Sequence, residues 1–363
     1  EIRITDKNDS GFSVSVPPYR VDVIQEADVV EEILRIYGFN NIELSENAKA
    51  DSLASFPERD NTRFKKSIGS MLAAHGFYET LTNSLTHIAY KNKIKTDGEA
   101  VEILNKLSEE QGMLRQTMLF SVLEVCAHNI NRKQKDLKLF EFGKIYSVSG
   151  EPKKYREEER LVLSLTGNLE TENWQNKTRN VNFYDVAQAV SLIMERCGIE
   201  KIKQEPFSDT VFDYGTKISE GNKEVGLIGK VKNAWCKEFG IKQEVFFADL
   251  SADLLFRSAN PKFVVQEVPK FPEVRRDLSL VLDNNVKFAE IEALARATEQ
   301  RLIKEIIAFD VYEGEKIQQG KKAYALGFTL QDENKTLTDE EIEKVMSKLM
   351  GAFEGKMGAI IRK

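Results

Sequence analysis

The sequence predicts an α+β protein in which helices pack on antiparallel sheets. Its predicted strands follow turns of mixed length, with only a few helices between them, a pattern that favours antiparallel over parallel sheets. The length of 363 residues corresponds to about two to three domains. With 41% hydrophobic and 30% charged residues, the composition is that of a globular protein with an ordinary core. Disordered and collagen-like chains are therefore excluded.

Prolines and polar runs indicate where the domains divide. Pro261, Pro269 and Pro272 fall within twelve residues and predict a boundary near residue 268. The stretch 45–60 is polar and carries little periodic apolar signal. We therefore predict domains over residues 1–45, 46–268 and 269–363. The first residue is Glu1 rather than Met, so we expect a piece of a longer chain.

The N-terminal region predicts one strand and one helix. Residues 12–16 alternate between apolar and polar side chains, and Pro17 and Pro18 end this strand. Apolar residues recur at helical spacing over 26–37, and Gly38 is a suitable helix C-cap. A piece of this size is too small to fold alone, which indicates a truncated module.

The middle region predicts a sheet with helices packed on it. Its predicted helices are one that carries Phe64, Ile68, Met71 and Leu72 and ends at Gly76, and those over residues 117–131 and 184–197. Its predicted strands cover a β-rich run at 77–85 and the segments 101–104, 137–148, 161–166, 211–218, 225–231 and 245–250. A turn is expected at Gly150.

The tail predicts the order β-α-β-β-α-β of a ferredoxin-like domain. The elements are expected at residues 277–282, 288–298, 303–312, 323–330, 339–353 and 359–362. The second helix gives the clearest local signal, because Thr338 and Glu341 form a capping box and apolar residues then recur on one helix face.

Charge and cysteine usage limit the partners and the compartment. The 52 basic and 58 acidic residues give a net charge of −6, so no global attraction to nucleic acid or to an anionic membrane is expected. No run approaches the length of a membrane span, and no membrane partner is predicted. Cys126, Cys197 and Cys236 are widely spaced, which argues against disulfides and zinc and favours a reducing, cytoplasmic location.

An acidic group near the N-terminus is the strongest candidate for a metal site. Asp28, Glu31 and Glu32 share one face of the predicted helix, and Asp22 precedes it. Their oxygens suit a hard cation such as Mg²⁺. A solvated acidic first turn, favoured by the helix dipole, explains the same spacing, so both interpretations stay open.

Other catalytic motifs are missing from the sequence. It has neither a P-loop nor a G-x-G-x-x-G run, and His75, His87 and His128 lack the spacing of metal ligands. Local basic runs, such as the one at 132–138, are compatible with RNA phosphate contacts or with solvated loops.

Three groups of motifs resemble the C-terminal half of the bacterial phenylalanine–tRNA ligase beta subunit, in the order of that family. The matching runs are 16–22 with 26–39 (VPPYRVD and EADVVEEILRIYGF), 104–108 with 113–115 and 139–143 (LNKLS, MLR and LFEFG), and 271–272 with 275–277, 309–312 and 336–342 (FP, RRD, FDVY and TLTDEEI). The resemblance covers essentially the whole chain.

The resemblance implies a partial winged-helix-like module of putative DNA-binding fold, a class II synthetase-like core and a ferredoxin-fold anticodon-binding domain. It implies an (αβ)₂ tetramer that joins phenylalanine to tRNA-Phe, with alpha subunits and a second beta subunit as partners. ATP is expected at the alpha subunit. Mg²⁺ is expected at Asp22, Asp28, Glu31 and Glu32 jointly with the alpha subunit. The family's upstream editing domain is not in this chain.

The core is predicted to be catalytically silent, with no catalytic residues. Class II chemistry needs arginines that neutralise the ATP phosphates. From residue 161 to 268 the only arginines are Arg179, Arg196 and Arg257, and none follows a G-x-G pattern. The helix of Phe64, Ile68 and Leu72 resembles the class II interface motif, or is an ordinary core helix. The competing functions are an active class II ligase paralogue and a free-standing RNA-binding scaffold.

The tail is expected to meet tRNA by shape. Its 16 basic and 17 acidic residues rule out long-range attraction as the main source of affinity. Strand alternation places the bulky residues under the helices and leaves a small, polar sheet face for splayed anticodon bases, or for another domain. The candidate phosphate contacts at its edge are Arg275, Arg276, Lys321, Arg362 and Lys363.

Overall fold

The computed structural model describes residues 1–43, 59–170, 172–175, 177–199, 202–260, 265, 267–314 and 317–362. The chain divides into two compact units, residues 1–261 and 262–363. The polar stretch predicted as the first domain boundary lies almost entirely outside the described residues. Each unit is described by itself below.

The N-terminal region is a hairpin followed by a helix. Strands β1 (Arg3–Asn8) and β2 (Gly11–Ser15) are antiparallel, and helix α1 spans Glu26–Tyr37. Gly38 caps α1 with a positive φ, and its N–H donates to Leu34 O at 2.8 Å. Val23 is the one buried residue among residues 1–43. The predicted helix is confirmed, whereas β1 was not predicted, because its mixed polar sequence has no apolar alternation.

A seven-stranded sheet forms the centre of the first unit. Its strands are β3 (Tyr78–Glu79), β6 (Leu137–Ser149), β7 (Lys154–Thr166), β8 (Ile202–Phe207), β9 (Phe212–Glu220), β10 (Lys223–Val231) and β11 (Val245–Ser251). They lie in the order β3-β6-β7-β11-β10-β9-β8, and all neighbours are antiparallel except β3 and β6. A separate two-stranded ladder joins β4 (Leu85–Thr86) to β5 (Met113–Leu114).

Helices cover both faces of this sheet. One face packs α2 (Asn61–Ala74), α4 (Phe183–Arg196) and α6 (Ala252–Ser258), and the other packs α3 (Leu119–Asn131) and α5 (Asn233–Glu238). Successive strand residues alternate between the two cores: Leu161 and Leu163 face α2 and α4, while Val162 faces α3. Ile68 and Leu72 are 1% exposed within the first of these cores. The apolar face of α2 therefore packs in the core of the chain itself.

One prediction for the middle region was wrong, and another was confirmed in part. The expected strand at 101–104 does not form. Of its residues, Glu102 makes an isolated bridge to Met113. The β-rich run at 77–85 contributes β3 and the first residue of β4. Strand β8 and the short helices α5 and α6 were missed. β8 is an exposed edge with little apolar alternation, so its sequence lacks the pattern of a half-buried strand.

The second unit has the predicted βαββαβ order. It consists of β12 (Val274–Asp283), α7 (Phe288–Thr298), β13 (Ile303–Tyr312), β14 (Lys321–Leu330), α8 (Asp339–Met357) and β15 (Ile360–Arg362). The sheet order β13-β14-β12-β15 is that of the ferredoxin-like fold. The capping box of α8 is present: the Thr338 side chain accepts from Glu341 N–H, and the Glu341 carboxylate accepts from Thr338 N–H.

No helix in the described ranges is both long enough and apolar enough to cross a membrane. Cys126, Cys197 and Cys236 are free and buried. Burial raises the pKa of the Cys126 thiol to about 11 and that of Cys197 to about 12. These thiols are therefore protonated at neutral pH and unreactive.

A buried ion pair fixes the loops at the edge of the seven-stranded sheet. Arg115 is 2% exposed and Glu141 is 1% exposed. Arg115 Nη1 donates to Glu141 Oε1 at 3.3 Å, and Arg115 Nε donates to Lys144 O at 2.9 Å. Thr82 donates to the same carboxylate from its N–H and its hydroxyl. Because both charges have several hydrogen-bond partners, their burial is tolerated.

We expect Arg115→Met to destabilise the first unit by about 3 kcal/mol or more, because it leaves the Glu141 carboxylate buried without its cation. The exposed pair of Arg156 and Glu158 supplies the control, and Arg156→Met should change stability by less than about 1 kcal/mol. Urea unfolding followed by tryptophan fluorescence measures this unit alone, since the two tryptophans, Trp174 and Trp235, both lie in it. Equal effects of the two variants would contradict the assignment.

Candidate metal and nucleic-acid sites

Arg20 organises the acidic group at the N-terminus. Its Nη2 lies 2.8 Å from Asp22 Oδ2 and 2.7 Å from Glu32 Oε1, and Arg35 Nη1 lies 2.9 Å from the same Glu32 oxygen. Two of the four predicted metal ligands are thus joined through a guanidinium. Spacing along the sequence predicts that Asp22 and Glu32 lie near each other but assigns no role to Arg20.

The other two predicted ligands do not join this cluster. Asp28 Oδ2 accepts hydrogen bonds from the backbone N–H groups of Ile24 at 2.8 Å and Gln25 at 2.9 Å, so this carboxylate caps the first turn of α1. Glu31 is exposed. Among the described residues, no group of three or more His, Cys, Asp or Glu side chains could hold a metal ion. The oxygens suit Mg²⁺ chemically, but this chain by itself does not assemble them into a site.

The electrostatics follow these contacts. The hydrogen bond from Arg20 is the main cause that lowers the pKa of Asp22 and of Glu32, and Arg35 adds to the effect on Glu32. For Asp28, the two backbone N–H groups lower the pKa. All three groups are therefore ionised at neutral pH, and α1 begins with a fixed negative charge.

The outer face of the tail sheet, the face away from α7 and α8, carries three of the five predicted phosphate contacts. In the strand register, Arg275 lies opposite Thr329, Lys321 opposite Asp283 and Arg362 opposite Ser279, all on this face. Arg276 lies on the helix-covered face, where its Nη2 is 3.5 Å from Asp339 Oδ1 at the start of α8. Lys363 falls outside the described residues.

The outer face is also less polar than predicted. Phe309 is 51% exposed, and Arg275 Cζ lies 5.2 Å from the centroid of its ring. Gly327 lies under this pair, because a Cβ there would stand 3.0 Å from Arg275 Nε. The register of β13 shifts between Ala308 and Asp310, and Phe309 lies at this irregularity. The platform joins β12 and β13, which are not neighbours in the sheet, so the sequence alone does not show that Arg275 and Phe309 meet.

Ile317 covers the other end of the outer face. With Val281 and Ala323 it forms a small buried cluster. The chain's own loop thus covers one end of this face, while Arg275 and Phe309 are about half exposed at the other. Lys321 lies at the start of β14, close in sequence to this cover.

A group of large apolar side chains in the first part of the middle region is exposed to solvent. Leu104 and Leu107 are 95% and 94% exposed, Leu81 is 92% exposed and Tyr78 is 74% exposed. They lie in or beside the short strand β3 and in the loop before β5. Large exposed apolar groups are candidates for a protein interface.

Comparison with known families matches three successive parts of the chain. The tRNA synthetase B5 domain matches residues 1–39, the phenylalanyl tRNA synthetase beta chain CLM domain matches residues 45–252, and the ferredoxin-fold anticodon binding domain matches residues 269–362. The middle match alone covers more than half of the chain.

Named relatives agree with these matches. Phenylalanine–tRNA ligase beta subunits from Bacteroides fragilis and Bacteroides thetaiotaomicron are both 39% identical, over 375 and 376 residues, and the alignments cover 100% of this chain and 46% of each relative. The beta subunit from Desulfotalea psychrophila is 33% identical over 98% of this chain and 46% of its own length. The chain thus spans about half the length of these relatives.

We expect Arg20→Gln to raise the pKa of Asp22 and Glu32 towards their ordinary values and to leave that of Asp28 unchanged, because backbone groups set the latter. In the unchanged protein the two ion pairs stabilise the folded state above the ordinary pKa values, and this contribution is lost as pH falls through the lowered ones. Carboxyl-detected NMR titration measures all three groups. Arg35→Gln is the control: it should raise the pKa of Glu32 by less than Arg20→Gln does, and that of Asp22 least, because Arg35 acts on Asp22 only through its charge. A shift of Asp28 as large as that of Asp22 would contradict this picture.

Proposed function

The chain belongs to the phenylalanyl-tRNA synthetase beta chain family, and on this premise we propose that it supports the ATP-dependent joining of phenylalanine to its tRNA. It would do so as the C-terminal part of the beta subunit of a cytoplasmic (αβ)₂ enzyme. The observation that carries the proposal is the match of three family domains, in order, along one chain. The relatives that share this order are named beta subunits.

In this proposal the core does not perform the adenylation step, and ATP binds at the alpha subunit. Phosphate neutralisation needs accessible arginines. From residue 161 to 268 the arginines of the core are Arg179, Arg196 and Arg257, and none follows the G-x-G pattern of an ATP site. Incubation of the purified chain with ATP and phenylalanine should release no pyrophosphate above background. Release by this chain alone would instead support the active-paralogue alternative.

We propose that Mg²⁺ binds the acidic group around α1 only when the alpha subunit supplies further ligands. The support is that Arg20 and the helix cap engage Asp22, Glu32 and Asp28 within this chain. Calorimetric titration with Mg²⁺ should show no saturable site on the chain alone and one on the complex with alpha. A tight site on the chain alone would refute this division of ligands.

The exposed apolar residues support a role in assembly with the alpha subunit. Leu104 and Leu107 are almost fully exposed on one short loop. Contact of their apolar surface with water is unfavourable, and a partner surface that covered them would remove this contact. The exposed Tyr78 on β3 agrees with the class II-like interface that the resemblance implied. The second beta subunit of the tetramer is proposed on the same family basis.

We expect the double change Leu104→Ser and Leu107→Ser to weaken association with the alpha subunit by about tenfold or more, since buried apolar anchors dominate such interfaces. Trp174→Ser is the matched control, because Trp174 is 95% exposed on a different loop. Analytical ultracentrifugation of each variant mixed with alpha measures the affinity. Unchanged assembly by the double variant would place the interface elsewhere.

We propose that the tail contacts the tRNA anticodon through the platform of Arg275 and Phe309. Splayed bases stack on aromatic rings and guanidinium planes, and both are accessible here. Arg362 and Lys321 lie on the same face and supply positive charge for the backbone.

Arg275→Ala in the assembled enzyme should raise the KM for tRNA about three- to tenfold with little change in kcat, because it removes a contact made in the ground state. Arg276→Ala is the matched control: it is adjacent in sequence but lies on the helix-covered face, and should leave the KM nearly unchanged. Steady-state aminoacylation kinetics measure the KM for tRNA of both variants. Equal effects would mean that the outer face is not the contact surface, and tight tRNA binding by the chain alone would favour the scaffold alternative.

A further inference from the structure

A cavity of about 470 Å³ opens on the face of the seven-stranded sheet that α3 and α5 flank. Strands β6, β7, β9, β10 and β11 and the segment just before α3 line it. This volume lies within the range of small-molecule sites. Its residues belong neither to the acidic N-terminal group nor to the exposed loop of Leu104.

One charged group at the base of the cavity has unused hydrogen-bonding capacity. Arg160 is nearly buried, with 16% of its side chain exposed. Within the described residues, the Arg160 side chain makes one hydrogen bond, from Nε to Asp249 Oδ1 at 2.7 Å. Glu158 Oε2 lies 3.9 Å from Nη1, beyond hydrogen-bond distance. Arg160 lines the cavity, and the donors on its two terminal nitrogens match a carboxylate in a bidentate arrangement.

The rest of the lining selects against a simple anion. Acidic lining residues outnumber basic ones five to three, so a phosphate or a dicarboxylate would meet net repulsion. Glu158 and Asp249 lie on either side of Arg160 and offer carboxylate oxygens to a cationic group. A ligand that fits both must carry an anion and a cation a few bonds apart.

An apolar surface adjoins these charges. Leu227, Phe212 and Phe247 line the same cavity, and the two phenylalanine rings stack with centroids 6.4 Å apart. A short hydrocarbon group would be removed from water there.

We propose that this cavity binds a free α-amino acid with an apolar side chain. The amino-acid carboxylate lies on the Arg160 guanidinium, and its ammonium group lies between Glu158 and Asp249. The side chain packs on Leu227 and the phenylalanines. This binding site is independent of the proposed role in aminoacylation, so failure of either leaves the other standing.

Calorimetric titration of the purified chain tests the proposal with three probes. Leucine should bind saturably, whereas 4-methylpentanoate, which lacks the ammonium group, and 3-methylbutylamine, which lacks the carboxylate, should each bind about tenfold more weakly or worse. Absence of saturable leucine binding up to about 10 mM would overturn the proposal. Equal affinity for leucine and for either truncated probe would also overturn it.

Variants separate the roles of the lining residues. Arg160→Gln and Asp249→Asn should each weaken leucine binding about tenfold. Arg301→Gln is the control, because Arg301 forms a similar ion pair with Asp332 in the tail, at 2.9 Å. Leu227→Phe reduces the cavity volume without touching the ion pair, and should weaken binding even if Arg160→Gln fails to fold. Leucine affinity unchanged in Leu227→Phe, or in a folded Arg160→Gln, would refute the site.

Discussion

The buried contact between Arg115 and Glu141 determines how the first unit can be arranged. A charged pair that is almost fully removed from water is tolerated only while each partner keeps its hydrogen bonds. Arg115 therefore holds the segment around Thr82 against β6 through its side chain, and its carbonyl accepts the N–H of Tyr146. Gln116 and Thr117 follow it directly and line the cavity. The residue that forms the buried ion pair thus lies directly before a lining segment of the cavity and close to the start of α3.

Arginine–carboxylate contacts recur in the molecule, and burial decides what each one does. Arg20 is partly exposed and gathers carboxylates that a metal would otherwise use. Arg160 is nearly buried but only partly satisfied, so its remaining donors point to a ligand. Arg275 is half exposed and is paired with Asp277, while the flat side of its guanidinium rests over Phe309. The role of each guanidinium therefore depends on its exposure to water: a buried one holds segments together, and a more exposed one lowers the pKa of its neighbours or is available to a ligand.

The two sheets differ in how completely helices cover them, and the candidate sites follow from that difference. Helices pack on both faces of the seven-stranded sheet, and the cavity occupies a gap beside α3. In the tail, both helices lie on one face, and the other is covered only where Ile317 contacts Val281. A half-covered antiparallel sheet leaves a flat surface suited to bases, whereas a fully covered one leaves an enclosed volume suited to a small molecule.

The sequence by itself determined the elements whose signals are local. The apolar spacing and Gly38 gave the bounds of α1, and the capping box of Thr338 gave the start of α8, because helix caps involve residues within one turn. The order of the tail elements followed from the same local patterns. Alternation along β12 also places Arg276 on the helix-covered face, together with Leu278. Arg275 and Arg276 were nevertheless both predicted as phosphate contacts, because they are adjacent in sequence. The family resemblance identified the domains, but the position of Arg20 between Asp22 and Glu32 was not readable from spacing.

Only the tertiary structure decided the sites that join distant segments. Arg160 and Asp249 are 89 residues apart, and they meet because β7 and β11 are neighbours in the sheet. Arg160 stands one residue before the stretch 161–268, and no sequence motif marks it as a ligand-binding residue. Phe309 meets Arg275 because β13 and β12 both pair with β14, so this contact depends on the partner strand as much as on the residues. Contacts of this kind are set by strand pairing, and pairing minimises the free energy of the whole sheet rather than of any one segment.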